Sequence, residues 1–102
     1  MNLREQILVE LSLASKDKPF KRYRFANENY ISERLVRQNI TALRKQGFRI
    51  VSSSDGGGYW IASSDKEYGR FRAEYLSRAI KIMDTVKAMD GMVEGQIGGL
   101  AE

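Results

Sequence analysis

The chain contains neither cysteine nor histidine. That excludes disulfides, thiol nucleophiles, the usual zinc sites and catalysis by an imidazole base. Its one proline, Pro19, follows the polar run Lys16-Asp17-Lys18 and marks a loop. No run of about 18 apolar residues exists, so no membrane span is expected. The first residues, MNLREQILVE, interrupt their apolar stretch with charges and carry no cleavage pattern. The expectation is an intracellular, cytoplasmic protein.

Catalytic motifs are equally sparse. Asp55-Gly56-Gly57-Gly58 is glycine-rich, but no Gly-Lys-Ser/Thr follows and a strand comes next, so it is no phosphate-binding loop. Glu67, Glu74 and Asp84 are spread along a helix among basic neighbours and read as solvated charges. No hydroxyl has a histidine base to activate it. The expectation is a protein that is not an enzyme, with no cofactor, no metal and no small-molecule ligand.

What the chain does have is positive charge, unevenly placed. Its 102 residues suffice for one modest core, and the net charge is +4. Residues 16–49 hold ten Lys/Arg against three acids, while the remainder of the chain is net −3. A basic patch of this kind attracts phosphate by releasing condensed counterions.

The patch coincides with an amphipathic helix. Val36, Ile40 and Leu43 recur at the spacing of a buried stripe. Arg34, Arg37, Gln38, Thr41 and Lys45 share an arc of about 100° on the opposite side. Arg can grip guanine, Gln adenine, and Thr a base or a phosphate, so this face suits a major groove. Ser32 caps the helix, Glu33 favours its dipole, and Gly47 ends it. Arg49–Ser52 and Tyr59–Ile61 then read as a hairpin whose glycine tip tolerates positive φ. Tyr59 and Ile61 share one face of the second strand and Trp60 takes the other.

Upstream, Asn2 with Glu5 forms a capping-box pattern for a first helix. Leu3, Ile7, Leu8 and Leu11 make its stripe, and it fades near Ser15. Residues 20–31 interleave Phe20, Tyr23, Phe25 and Tyr30 with Lys21, Arg22 and Arg24. A short helix near 23–29 is expected, its rings filling the core. The other reading is base stacking on single-stranded DNA or RNA.

The order helix, short helix, amphipathic helix, hairpin is a winged helix-turn-helix plan. Ser32–Ala62 resembles the small winged-helix modules of the biotin-repressor type, found in bacterial and phage regulators. The residues that carry the resemblance are Ser32, Val36, Ile40, Leu43-Arg44, Gly47, Ile50 and Gly57-Gly58-Tyr59-Trp60-Ile61. They cover about a third of the chain. Asn29-Tyr30 departs from the pattern, which commonly has glycine in that turn, and the family's ligase domain has no counterpart. The resemblance implies major-groove docking of double-stranded DNA by Arg34, Arg37, Gln38 and Thr41. It implies phosphate contacts from Ser32 and Arg44, with Lys45 on the same face. The wing, with Ser53, Ser54 and Gly56, would lie on the backbone or minor groove. Arg44 has a second reading, as a residue that fixes the packing of its own helix.

Ser63-Ser64-Asp65 caps one more helix, predicted to reach about Met89. Its seam is Tyr68, Phe71, Tyr75, Ala79, Ile82, Val86 and Met89, heptad-like from Tyr75 onward. Glu74 and Arg78 are placed to pair at i, i+4. A helix of this length exceeds what so small a domain covers, so Tyr75, Ala79, Ile82, Val86 and Met89 are expected to form a homodimer. Two recognition helices would then read a near-palindromic site. The sequence thus predicts an α+β fold: three helices plus a two-stranded wing over 1–62, an added C-terminal helix over 63–89, and a mobile glycine-rich tail over 90–102. The expected function is sequence-specific binding of duplex DNA by a small bacterial or phage transcriptional regulator. The alternative is a protein–protein adaptor, or a replication or packaging accessory factor, on the same fold.

Overall fold

The computed structural model describes residues 1–53, 56 and 58–100, with side chains as far as residue 91. It is an α+β structure with four helices and one two-stranded antiparallel sheet. In order these are α1 (Leu3–Leu13), α2 (Arg22–Glu28), α3 (Glu33–Lys45), β1 (Ile50–Ser52), β2 (Tyr59–Ile61) and α4 (Asp65–Leu100). Met1–Tyr68 form one unit, and the rest of α4, from Gly69, a second. The first turn of α4 therefore belongs with the preceding elements, past the expected boundary at residue 62.

Local chemistry sets the helix ends. The Asn2 side chain accepts from the Glu5 amide at 2.8 Å, and the Glu5 carboxylate accepts from the Asn2 amide at 3.4 Å. Ser32 Oγ accepts from the Leu35 amide at 3.1 Å. Gly47 takes φ 104°, so α3 stops there, and the Phe48 amide reaches back to the Leu43 carbonyl at 3.2 Å. Tyr30 holds the α2–α3 turn at φ 55°, the left-handed region in which glycine is cheapest.

The core packs α1, α2 and α3 against the hairpin. Ile7, Leu11, Phe20, Phe25, Ala26, Val36, Ile40, Leu43 and Ile50 are buried together. Leu3, Leu8, Tyr59 and Ile61 pack partly against them. The stripes of α1 and α3 thus do what their spacing requires. The aromatic run 20–31 divides: Phe20 and Phe25 are core, their ring centroids 5.3 Å apart, while Tyr23 and Tyr30 are exposed.

The hairpin pairs Ile50 with Ile61, Val51 with Trp60 and Ser52 with Tyr59. Period-2 alternation puts Val51 and Trp60 on the face away from Ile50, and both are buried as well. One pairing lay outside the sequence reading. Phe20, expected only as one of the rings of residues 20–31, forms a bridge with Tyr59. Its amide donates to the Tyr59 carbonyl at 2.8 Å, and the Tyr59 amide returns the bond at 2.9 Å. Gly58 permits this approach: at φ 138°, a Cβ there would stand 2.4 Å from the Phe20 carbonyl oxygen.

Helix α4 opens as expected, with Ser64 Oγ accepting from the Glu67 amide at 3.1 Å. Its far end is a correction. The sequence ends it near Met89 and leaves an irregular tail, whereas the backbone is helical to Leu100. Single glycines cost a helix about 1 kcal/mol each without forbidding it, and no proline intervenes. The expected Glu74–Arg78 pair is also corrected: the Arg78 guanidinium lies 5.2 Å from the centroid of the Tyr75 ring. Tyr68 leaves the expected seam, because Arg49 stacks on its ring at 4.3 Å and pairs with Asp65 at 2.7 Å. No described helix is long and apolar enough to cross a membrane.

Candidate nucleic-acid interface

Helix α3 carries the candidate surface. Because Val36, Ile40 and Leu43 are at most 2% exposed, the side of the helix away from them is fixed as its outer face. Arg34, Arg37, Gln38, Thr41 and Lys45 stand on that face and are all exposed. Arg22–Glu33 and Arg49–Asp65, the ion pairs among the described residues, include none of them. Two guanidinium forks, an amide, a hydroxyl and an ammonium are thus presented together, without a hydrogen-bond or ion-pair partner among the described residues. These groups match the hydrogen-bonding edges of guanine and adenine, and phosphate oxygens.

The remaining expected contacts divide. Ser32 is exposed at the start of α3, its hydroxyl already serving as the cap. Arg44 takes part in the packing of its helix. Its Nε donates to the Ile50 carbonyl at 2.9 Å, and its guanidinium lies 5.7 Å from the centre of the Tyr59 ring. Arg44 braces α3 against the hairpin from the edge of the outer face, two turns along the helix from Arg37 and half-buried. Ser53 is half-buried, with its amide bonded to the Gly58 carbonyl at 3.3 Å. Gly56 is exposed at φ 73°. Ser54 lies outside the described residues.

No protein-family model matches this chain, and neither does any curated protein or solved structure. The site therefore rests on its own geometry.

That geometry includes residues the sequence reading did not select. A cleft of about 150 Å³ is lined by Lys21, Arg22, Glu33, Ser52, Ser53 and Tyr59, among others. It joins the start of α2, the start of α3 and the hairpin. Arg22 spans it, donating from Nε to Glu33 at 3.2 Å and from a terminal nitrogen to the Tyr59 hydroxyl at 2.8 Å. Burial alone would lower the pKa of Arg22. The hydrogen bond to Glu33 and the nearby Tyr59 outweigh burial and raise it. Arg22 therefore ties the first turn of α3 to β2 and holds the outer face at a set angle to the hairpin.

Asn39 is the other missed residue. It is buried, its side-chain amide donating to the Leu35 carbonyl at 2.9 Å while its oxygen accepts from Arg4 Nε at 3.1 Å. The link fixes α3 to α1. A signal did exist: Asn39 sits three residues after Val36, on the buried side of the helix. Its partner, 35 residues away, had none.

Proposed function

We propose that this protein binds double-stranded DNA sequence-specifically, as a winged helix-turn-helix. Helix α3 enters the major groove and the β1–β2 hairpin serves as the wing, along the backbone or the minor groove. The observation that carries this reading is the outer face of α3, where five polar and cationic side chains stand exposed, without partners among the described residues, above a fully buried stripe. A face solvated for solubility alone has no need of clustered forks without acidic partners among the described residues. Here Glu33, the acid of the first turn, is engaged by Arg22 and not by Arg34 or Arg37. The resemblance to the biotin-repressor-type modules agrees with the reading and suggests transcriptional regulation in a bacterial or phage setting.

Single-strand binding through residues 20–30 is less well supported, because two of its four rings are in the core. Selection of bound sequences from random duplexes at a stated salt concentration is the test. A shared motif is the expected result, and equal retention of every duplex would reject base readout. Within that assay Arg37→Ala is expected to weaken specific binding by about 1–3 kcal/mol and to relax one base position. Thermal unfolding of the same variant should match the parent, since Arg37 is exposed and makes no ion pair among the described residues.

A further inference from the structure

Helix α4 leaves Tyr75, Ala79, Ile82, Val86 and Met89, its expected dimer line, exposed. The chemistry that selects a ligand lies elsewhere, in the cleft joining the start of α2, the start of α3 and the hairpin. Three contacts set the shape of that cleft. The reciprocal Phe20–Tyr59 bonds bring Lys21 beside β2. Arg22 then bonds Glu33 on one side and the Tyr59 hydroxyl on the other. The walls are thus fixed before a ligand arrives, which lowers the ordering cost of binding.

The fold leaves donors unused in this lining. The Tyr59 hydroxyl accepts from Arg22, so its own proton is left to give, and the cation beside it strengthens it as a donor. The Lys21 ammonium and the Ser52 hydroxyl, on half-buried residues, have no partner among the described residues. Glu33 is the acid among the described lining residues, and Arg22 already occupies its Oε1. Two cations, Lys21 and Arg22, against this one acid leave the described lining at +1.

We propose that this cleft seats one phosphodiester group of the duplex backbone. Charge favours that source over a free phosphate monoester. A net +1 answers the single negative charge of a diester, whereas a monoester carries about −1.5 to −2 at pH 7. Position favours it too. The cleft spans from Glu33, the first residue of α3, to Ser52, the last of β1. With α3 in the major groove and the hairpin on the backbone, the strand bordering the groove passes between those two elements. In this the inference rests on the groove-helix reading, although the donors themselves do not. Neither helical spacing nor the resemblance points to Lys21 or Tyr59 as a duplex contact.

Duplex affinity against salt, measured on the full chain beside sequence selection, tests it. Lys21→Gln should make the slope shallower by about 1. Tyr59→Phe keeps the ring near Arg44 and removes the hydroxyl alone. It should weaken binding about tenfold at unchanged slope. Both should leave the order of preferred sequences intact, whereas a hydroxyl that only set the angle of α3 would relax that order when lost. Ser52→Ala repeats the uncharged arm should Tyr59→Phe misfold. Lys18→Gln, an exposed cation outside the cleft, should leave the slope alone, and an equal effect there would overturn the proposal. Parental affinity and slope in both cleft variants would also overturn it, while a selected motif would keep the groove reading standing. No motif, with both variants still weakened, does the reverse: the cleft grips backbone and α3 reads no bases. A titration with inorganic phosphate separates the sources. A shift of the Tyr59 amide that Lys21→Gln abolishes, with duplex affinity and slope untouched, would assign the cleft to a free phosphate and overturn the duplex assignment.

Discussion

Tyr30 adopts a backbone conformation that its side chain opposes. The left-handed region costs a residue with a Cβ roughly 1–2 kcal/mol. The ring recovers none of it by packing, for it is 96% exposed. Tyr30→Gly should therefore stabilise the fold. Against the relieved strain stands the added freedom of glycine in the unfolded chain, about 0.4–1 kcal/mol. The net expectation is a gain of about 0.5–1 kcal/mol, read as a higher urea midpoint with an unchanged slope. Arg44 works in the other sense. Arg44→Ala removes the donor to the Ile50 carbonyl and the cation over Tyr59, at a cost of about 1–3 kcal/mol in stability. Arg37→Ala and Arg44→Ala thus form a contrast: the first should alter DNA preference without moving the melt, the second should move the melt.

Among the secondary elements, the joint between Phe20 and Tyr59 is the most exacting. Gly58 sits where a Cβ would press on backbone, and backbone cannot yield as a flexible side chain can. Gly58→Ala should break the reciprocal bonds and destabilise the fold by about 2–3 kcal/mol. Amide exchange at Phe20 and Tyr59 should quicken more than at Val36 or Ile40, and equal quickening would argue against a local cause. This joint also marks the limit of what the sequence reveals. Elements defined within a few residues were legible, as with the Asn2–Glu5 box, the Ser32 cap and the α3 stripe. Their signals are periodic or lie within one helical turn. The Phe20 bridge, the Arg4–Asn39 link and the Arg22–Tyr59 bond span 35 to 39 positions, and no local pattern specifies them. The candidate site divided in the same way. The outer face of α3 follows from periodicity, whereas Arg44 could be assigned as a brace only once Ile50 was seen beside it. The end of α4 was misjudged because glycine weakens a helix without terminating it.

For the molecule as a whole, charge governs how duplex binding should respond to solution conditions. With no histidine, no side chain of ordinary pKa changes charge between pH 5.5 and 7.5. Arg22 adds no sensitivity there. Its pKa is raised in the folded state, so its stabilisation is complete at every pH below the ordinary arginine value and is lost only in strong alkali. Stability and duplex affinity should both stay flat across that window. Salt should act strongly instead. Each phosphate neutralised contributes about −0.9 to the slope of log affinity against log salt. The slope can therefore separate the cations of α3 by role. Lys45 is in the last turn of the helix, and its flexible ammonium suits a phosphate. Lys45→Gln should make the slope shallower by about 1 and leave the order of preferred sequences intact. Arg37, read as a base contact, should behave the opposite way, with its alanine variant relaxing preference at nearly constant slope. If both variants changed only the slope, α3 would be gripping backbone, and the major-groove assignment would fail while duplex binding remained.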